Sequence, residues 1–307
     1  MMAQRMCRES FGIWAHHQLD PVCACILISS KSNYDEDKLR YCMNLVRSSN
    51  SIFSSFRGNA EPVLATYLAA DDHPDEKMRA AIDAYRILRE YFPASSFLAL
   101  AAMFMTEMTD PMEYRRAAED TKYIYDRITD NHFFLTGKED TLYSFLIAHS
   151  CEDYGAALNE MEELYRQMKG EFLFSRNSLQ SLCHALVLCS GDTDDKVRRF
   201  HKLNKRMENE GLEMGKGYEM ISLGILANLG VDHDQVMADI VEADAFLSEQ
   251  KEYGFFGFWE KKRLMHVIMI LTSFYLTSGP ELIAAVVVSV LIEIQQQQAA
   301  AASAAAA

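Results

Sequence analysis

The chain has 307 residues, 49% hydrophobic and 24% charged, with only 14 glycines and 6 prolines. That length buries a sizeable core, and the shortage of turn formers beside abundant Ala, Leu, Met, Glu and Arg argues against an all-β fold and for helix. A net charge of −14 excludes general affinity for nucleic acid or an anionic membrane surface, both of which need clustered Lys and Arg.

From the N terminus, residues 1–55 read as a cap. They hold an apolar segment over 22–28 and an amphipathic helix from Asp35 to about Val46. No secretory signal is expected, because the apolar segment is short and Glu9 and Asp20 interrupt what precedes it. Cys7, Cys23, Cys25, Cys42, Cys151, Cys183 and Cys189 are odd in number and irregularly spaced. Buried free thiols in a reducing, cytoplasmic compartment explain them better than a disulfide framework.

Six apolar segments follow, beginning at Leu64, Leu98, Leu142, Leu182, Ile221 and Met265, at separations of 34, 44, 40, 39 and 44 positions. A period near 40 is the mark of stacked helical hairpins. Each segment precedes an acidic or capping turn and a longer one-sided helix. Met78, Ile82, Tyr85, Leu88 and Phe92 form one such stripe, and Val236, Ile240, Ala243, Phe246 and Leu247 another. Asp110-Pro111-Met112-Glu113 reads as a capping box, Asp232 with Gln235 as a second, and Thr193 as a further cap. The all-apolar helix belongs inside and the one-sided helix outside. Aromatic connectors at Tyr91-Phe92, Phe133-Phe134, Phe172-Leu173-Phe174 and residues 254–259 are expected to plug the edges between neighbouring hairpins.

The predicted fold is therefore all-α. It is an array of about six hairpins, an α/α superhelix or toroid, with an N-terminal cap and a C-terminal apolar closing helix. Residues 1–294 make one helical-repeat domain (hairpins over 56–294), and 295–307 a Gln/Ala-rich tail of frayed helix or disorder. From Leu264 to Ile292 the chain carries two uncharged apolar runs, each shorter than the ~18–20 residues of a membrane span. A buried closing hairpin is the expectation, and a membrane- or partner-docking segment the alternative.

Motifs for chemistry are sparse. Cys23 and Cys25 lack a second ligand pair, so no metal site is expected. No glycine-rich phosphate loop, nucleophile elbow or metalloprotease helix occurs, and no cofactor is implied. His184 reads as a core histidine with a hydrogen-bond partner. One pattern stands out: polar residues recur just before or at the start of successive inner helices. They are Arg57 and Asn59; Ser95 and Ser96; His132, Thr136 and Asp140; Asn177 and Gln180; and Glu219. Helix N-termini gathered on one face suit an anionic ligand or acidic peptide, whereas ordinary capping is the plainer account.

The stretches Ser55-Phe56-Arg57-Gly58-Asn59, His132 to Asp140, and Asn177 to Leu186 resemble signature stretches of an uncharacterised bacterial family, domain of unknown function 4003. The resemblance covers most of the chain. It points to Arg57, His132, Asp140, Asn177, Gln180 and His184 without giving them a role. The leading expectation is a soluble helical-repeat protein that binds a peptide or protein partner through Arg57, Asn59, His132, Thr136, Asp140, Asn177, Gln180 and His184. The alternative is an enzyme with an α/α-ring pocket, His132 or Asp140 acting as acid or base.

Overall fold

A computed structural model of the chain describes residues 2–11, 19–30, 35–48, 55–132, 134–173, 175–250, 253, 260–276 and 279–306. Among them are fifteen α-helices and no strand, so the all-α expectation holds. The helices fall into two compact units, Met1–Glu152 with Ile294–Ala307, and Asp153–Glu293.

The first unit opens with α1 (Met2–Phe11), α2 (Asp20–Ser29) and α3 (Glu36–Ser48), α1 packing on both of the others. Asp35 caps α3 by accepting from Lys38 N at 3.0 Å. There follow α4 (Ala60–Ala69), α5 (Pro74–Leu88), α6 (Ser96–Met108), α7 (Tyr114–His132) and α8 (Asp140–Ser150). Helices α4, α6 and α8 lie side by side, with α3, α5 and α7 packed on them and on one another.

Sequence explains the layering. Apolar residues surround α4 and α6, and each is buried on nearly every side. Each large apolar side chain sealed this way contributes about 1.5–3 kcal/mol. Helix α5 instead buries one stripe, Met78, Ala81, Ala84, Tyr85 and Leu88, and turns its charges to solvent.

In the second unit α9 (Tyr154–Met168), α10 (Arg176–Val187), α11 (Thr193–Asn209), α12 (Glu219–Ala227), α13 (His233–Ser248) and α14 (Glu260–Tyr275) repeat the division. Helices α10, α12 and α14 are neighbours, partnered by α9, α11 and α13. All six apolar segments lie in even-numbered helices from α4 to α14. Gly224 lets α12 approach α10 closely: a Cβ there would stand 2.5 Å from Leu182 Cδ1.

The last helix, α15 (Pro280–Ala306), is shared. Pro280–Glu293 belongs to the second unit and Ile294–Ala306 to the first. The Gln/Ala tail is thus helical, since glutamine and alanine are good helix formers and nothing interrupts them. No helix among the described residues is long and apolar enough to cross a membrane.

Several local expectations need correction. Asp110 caps a 3-10 turn, Pro111–Glu113, while the Glu113 carboxylate lies 3.8 Å from Arg116. Gln235 donates forward to Asp239 at 2.8 Å, and Asp232 alone caps α13. The cap of α11 is Asp192, one residue before Thr193. On α13 Phe246 is 52% exposed and Asp244 takes the buried position, because Arg263 binds it through two hydrogen bonds of 2.7 and 2.9 Å. Of the connector aromatics Phe92 and Phe172 are buried, but Phe134 is 94% exposed. Phe133, Phe174 and residues 254–259 lie outside the described residues.

Candidate functional site

The first inner-helix entrance is built around Gly58, whose φ of +71° a side chain would strain. Before it Phe56 is buried edge-to-face on Tyr85, ring centroids 5.1 Å apart, and Tyr85 Oη donates to Ser55 Oγ at 3.0 Å. Arg57 is exposed and donates to the Arg47 carbonyl at 2.9 Å. Asn59 occupies the N-cap position of α4 yet makes no cap bond. Its carboxamide instead pairs with that of Gln298, donating at 3.0 Å and accepting at 3.3 Å.

At the next entrance the work is divided between two serines. Ser95 caps α6 by accepting from Leu98 N at 3.0 Å, leaving Ser96 Oγ to accept from Gln295 Nε2 at 3.1 Å. Gln295 and Gln298 are three residues apart and share one side of α15. Helices α4 and α6 are neighbours. Two of the polar entrance positions therefore receive a helix from the far end of the chain.

The third entrance is self-contained. The His132 carbonyl accepts from Leu135 N at 2.8 Å, Thr136 N at 3.1 Å and Thr136 Oγ1 at 3.0 Å. Buried Asp140 accepts from Gly137 N at 2.7 Å. A Cβ on Gly137 would stand 2.4 Å from the Glu139 carboxylate, the end of a flexible side chain that can swing aside. Thr136 and Asp140 fasten the α7–α8 loop.

In the second unit Asn177 is exposed, whereas Gln180 and His184, one turn apart on α10, are buried. The Gln180 carboxamide makes no hydrogen bond among the described residues. At the α12 entrance Glu219 accepts from Gly217 N at 3.0 Å. Burial pushes its carboxyl above the usual range and nearby Glu293 adds to this, against the pull of the Gly217 N–H and Lys261. Farther along α12, Ser222 Oγ lies 3.2 Å from Ser289 Oγ of α15.

Gln295, Gln298, Ser222 and Ser289 were absent from the sequence-based set. The two glutamines lay in a run read as compositional bias, and no local periodicity links residues 239 positions apart. No group of three or more His, Cys, Asp or Glu side chains that could hold a metal ion occurs among the described residues. A surface hollow of about 170 Å³ between α7 and α8 is lined by Arg116, Asp120, Phe145 and His149 among others, and by none of the eight predicted residues.

No curated protein and no solved structure matches the chain. The family of proteins of unknown function DUF4003 matches residues 7–299, and the chain belongs to that family.

Proposed function

We propose that this protein is a helical-repeat scaffold that binds an α-helical segment of a protein partner across the entrances of its inner helices. The observation carrying this reading is the pairing of Asn59 and Ser96 with Gln298 and Gln295. Side chains at these positions are spared from capping their own helices and engage a helix, and stacked hairpins offer surfaces suited to such ligands. A cytosolic setting fits the seven free cysteines, six of them buried. The net charge of −14 keeps nucleic acid out of the proposal.

Selection of helical peptides from a displayed library tests it, using the full chain and its Asn59→Ala/Ser96→Ala variant as baits. Peptides enriched on the wild type should lose at least tenfold in affinity for the variant, whose thermal midpoint stays within a few degrees. Enrichment indifferent to both substitutions sinks the reading.

A further inference from the structure

We infer that the C-terminal half of α15 is a resident, displaceable ligand of Asn59 and Ser96, and that the partner replacing it is a helix presenting two side-chain amides three residues apart. This rests on the helix-binding reading above and names its partner chemistry and its control.

The two halves of α15 are held very differently. From Ala284 to Ile292 every residue is at most 4% exposed, so this stretch is core. Beyond Ile294, among the described side chains, Gln295 and Gln298 are half-buried, and Gln296, Ala299 and Ser303 are exposed. Among the described side chains, two glutamines bond this half to Ser96 and Asn59. Part-buried neutral hydrogen bonds are readily exchanged for equivalent bonds to another molecule.

The receiving groups define the replacement. A carboxamide that both donates and accepts, as Asn59 does, is matched by another carboxamide. A hydroxyl accepting from an amide N–H, as Ser96 does, is matched by a second. Glutamine or asparagine at i and i+3 places both on one side of a helix. An aliphatic residue just before the first amide, in the place of buried Ile294, completes the pattern.

Hydrogen exchange on the full chain gives the first test: amides of 295–306 should exchange at least a hundredfold faster than those of 284–292. Equal protection of the two halves overturns the inference. The second test titrates a fluorescein-labelled peptide of residues 292–306 into three forms of the full chain and follows anisotropy. Wild type should bind weakly, Gln295→Ala/Gln298→Ala at least tenfold more tightly, and that variant with Asn59→Ala added should return to the wild-type level. Equal binding to wild type and the double variant, lost with Asn59→Ala, leaves helix binding standing and removes the resident ligand. Absence of binding to a double variant that circular dichroism shows folded removes both.

Discussion

The carboxamides of Asn59 and Gln298, 239 positions apart in sequence, bond to each other in both directions, at 3.0 and 3.3 Å. Removing one partner strands the other where its groups are half withdrawn from water, so the two substitutions should not add. A double-mutant cycle of Asn59→Ala and Gln298→Ala, read by urea unfolding, should give a coupling of about 1 kcal/mol. Simple additivity would show that the pair is exchanged for water at no cost.

What the sequence disclosed depended on range. The six inner segments were legible because a helix buried on all sides must be apolar on all sides, and Leu64, Leu98 or Ile221 announce that locally. The entrances were legible as polar positions for the same reason, since Ser95 caps only its own helix. Their use was not. Ser96 and Asn59 differ from an ordinary cap through what α15 brings to them, and a glutamine run carries no periodic signal of its destination. Phe246 was misplaced for a related reason: an acid such as Asp244 reads as solvent-facing until Arg263, on the next helix, neutralises it and gives it the buried position.

That misplacement gives a paired prediction. Asp244 and Arg263 side chains are 12% and 16% exposed, and removing the carboxylate leaves a guanidinium largely out of water. Asp244→Ala should destabilise the fold by about 2–3 kcal/mol. Phe246→Ser, two residues on at an exposed position, should fall within about 0.5 kcal/mol of wild type. Denaturant melts of both variants check the contrast, and a larger loss for Phe246→Ser would mean that α13 buries the face read from sequence.

Gly224 sits in the middle of α12, where alanine would ordinarily gain about 1 kcal/mol of helix propensity. Here the added methyl meets Leu182 Cδ1 at 2.5 Å and Leu186 Cδ2 at 3.4 Å. Overpacking costs about 1–3 kcal/mol, so the clash outweighs the propensity. Gly224→Ala should therefore be net destabilising, and Leu182→Ala should cost less in the Gly224→Ala background than alone. Equal costs in the two backgrounds would mean that the methyl never reaches Leu182.

The cysteines predict a labelling pattern. Burial pushes the Cys7, Cys23 and Cys183 thiols well up and Cys42 up to about 11, so thiolate is scarce at neutral pH. Cys151, at the end of α8, is half-exposed. A thiol-exchange reagent at pH 7.5 should modify one cysteine rapidly in the folded chain and the other six only on unfolding. Mass mapping of the fast site to Cys7 or Cys23 would contradict their burial.

His266 supplies a pH dependence with a definite sign. Its ring is fully buried on α14, edge-to-face with Tyr253, with Tyr253 Oη 2.8 Å from Nδ1, and burial holds the imidazole down at about 3. In the unfolded chain the same group titrates near 6.5. Between those values the unfolded state alone takes up the proton, so the stability is present above pH 6.5 and is lost as pH falls towards 3. At pH 5 the loss amounts to about 2 kcal/mol. Glu219 acts in the opposite sense: its raised value favours the protonated fold, a contribution present at low pH and lost as pH rises through that value. Comparing wild type with His266→Asn by urea unfolding at pH 7.5 and pH 5 cancels the Glu219 contribution. The wild type should lose about 2 kcal/mol more than the variant on acidification, and its ring proton resonance should stay fixed across that range. A resonance that moves with a midpoint near 6.5 would mean that water reaches the imidazole in the folded chain.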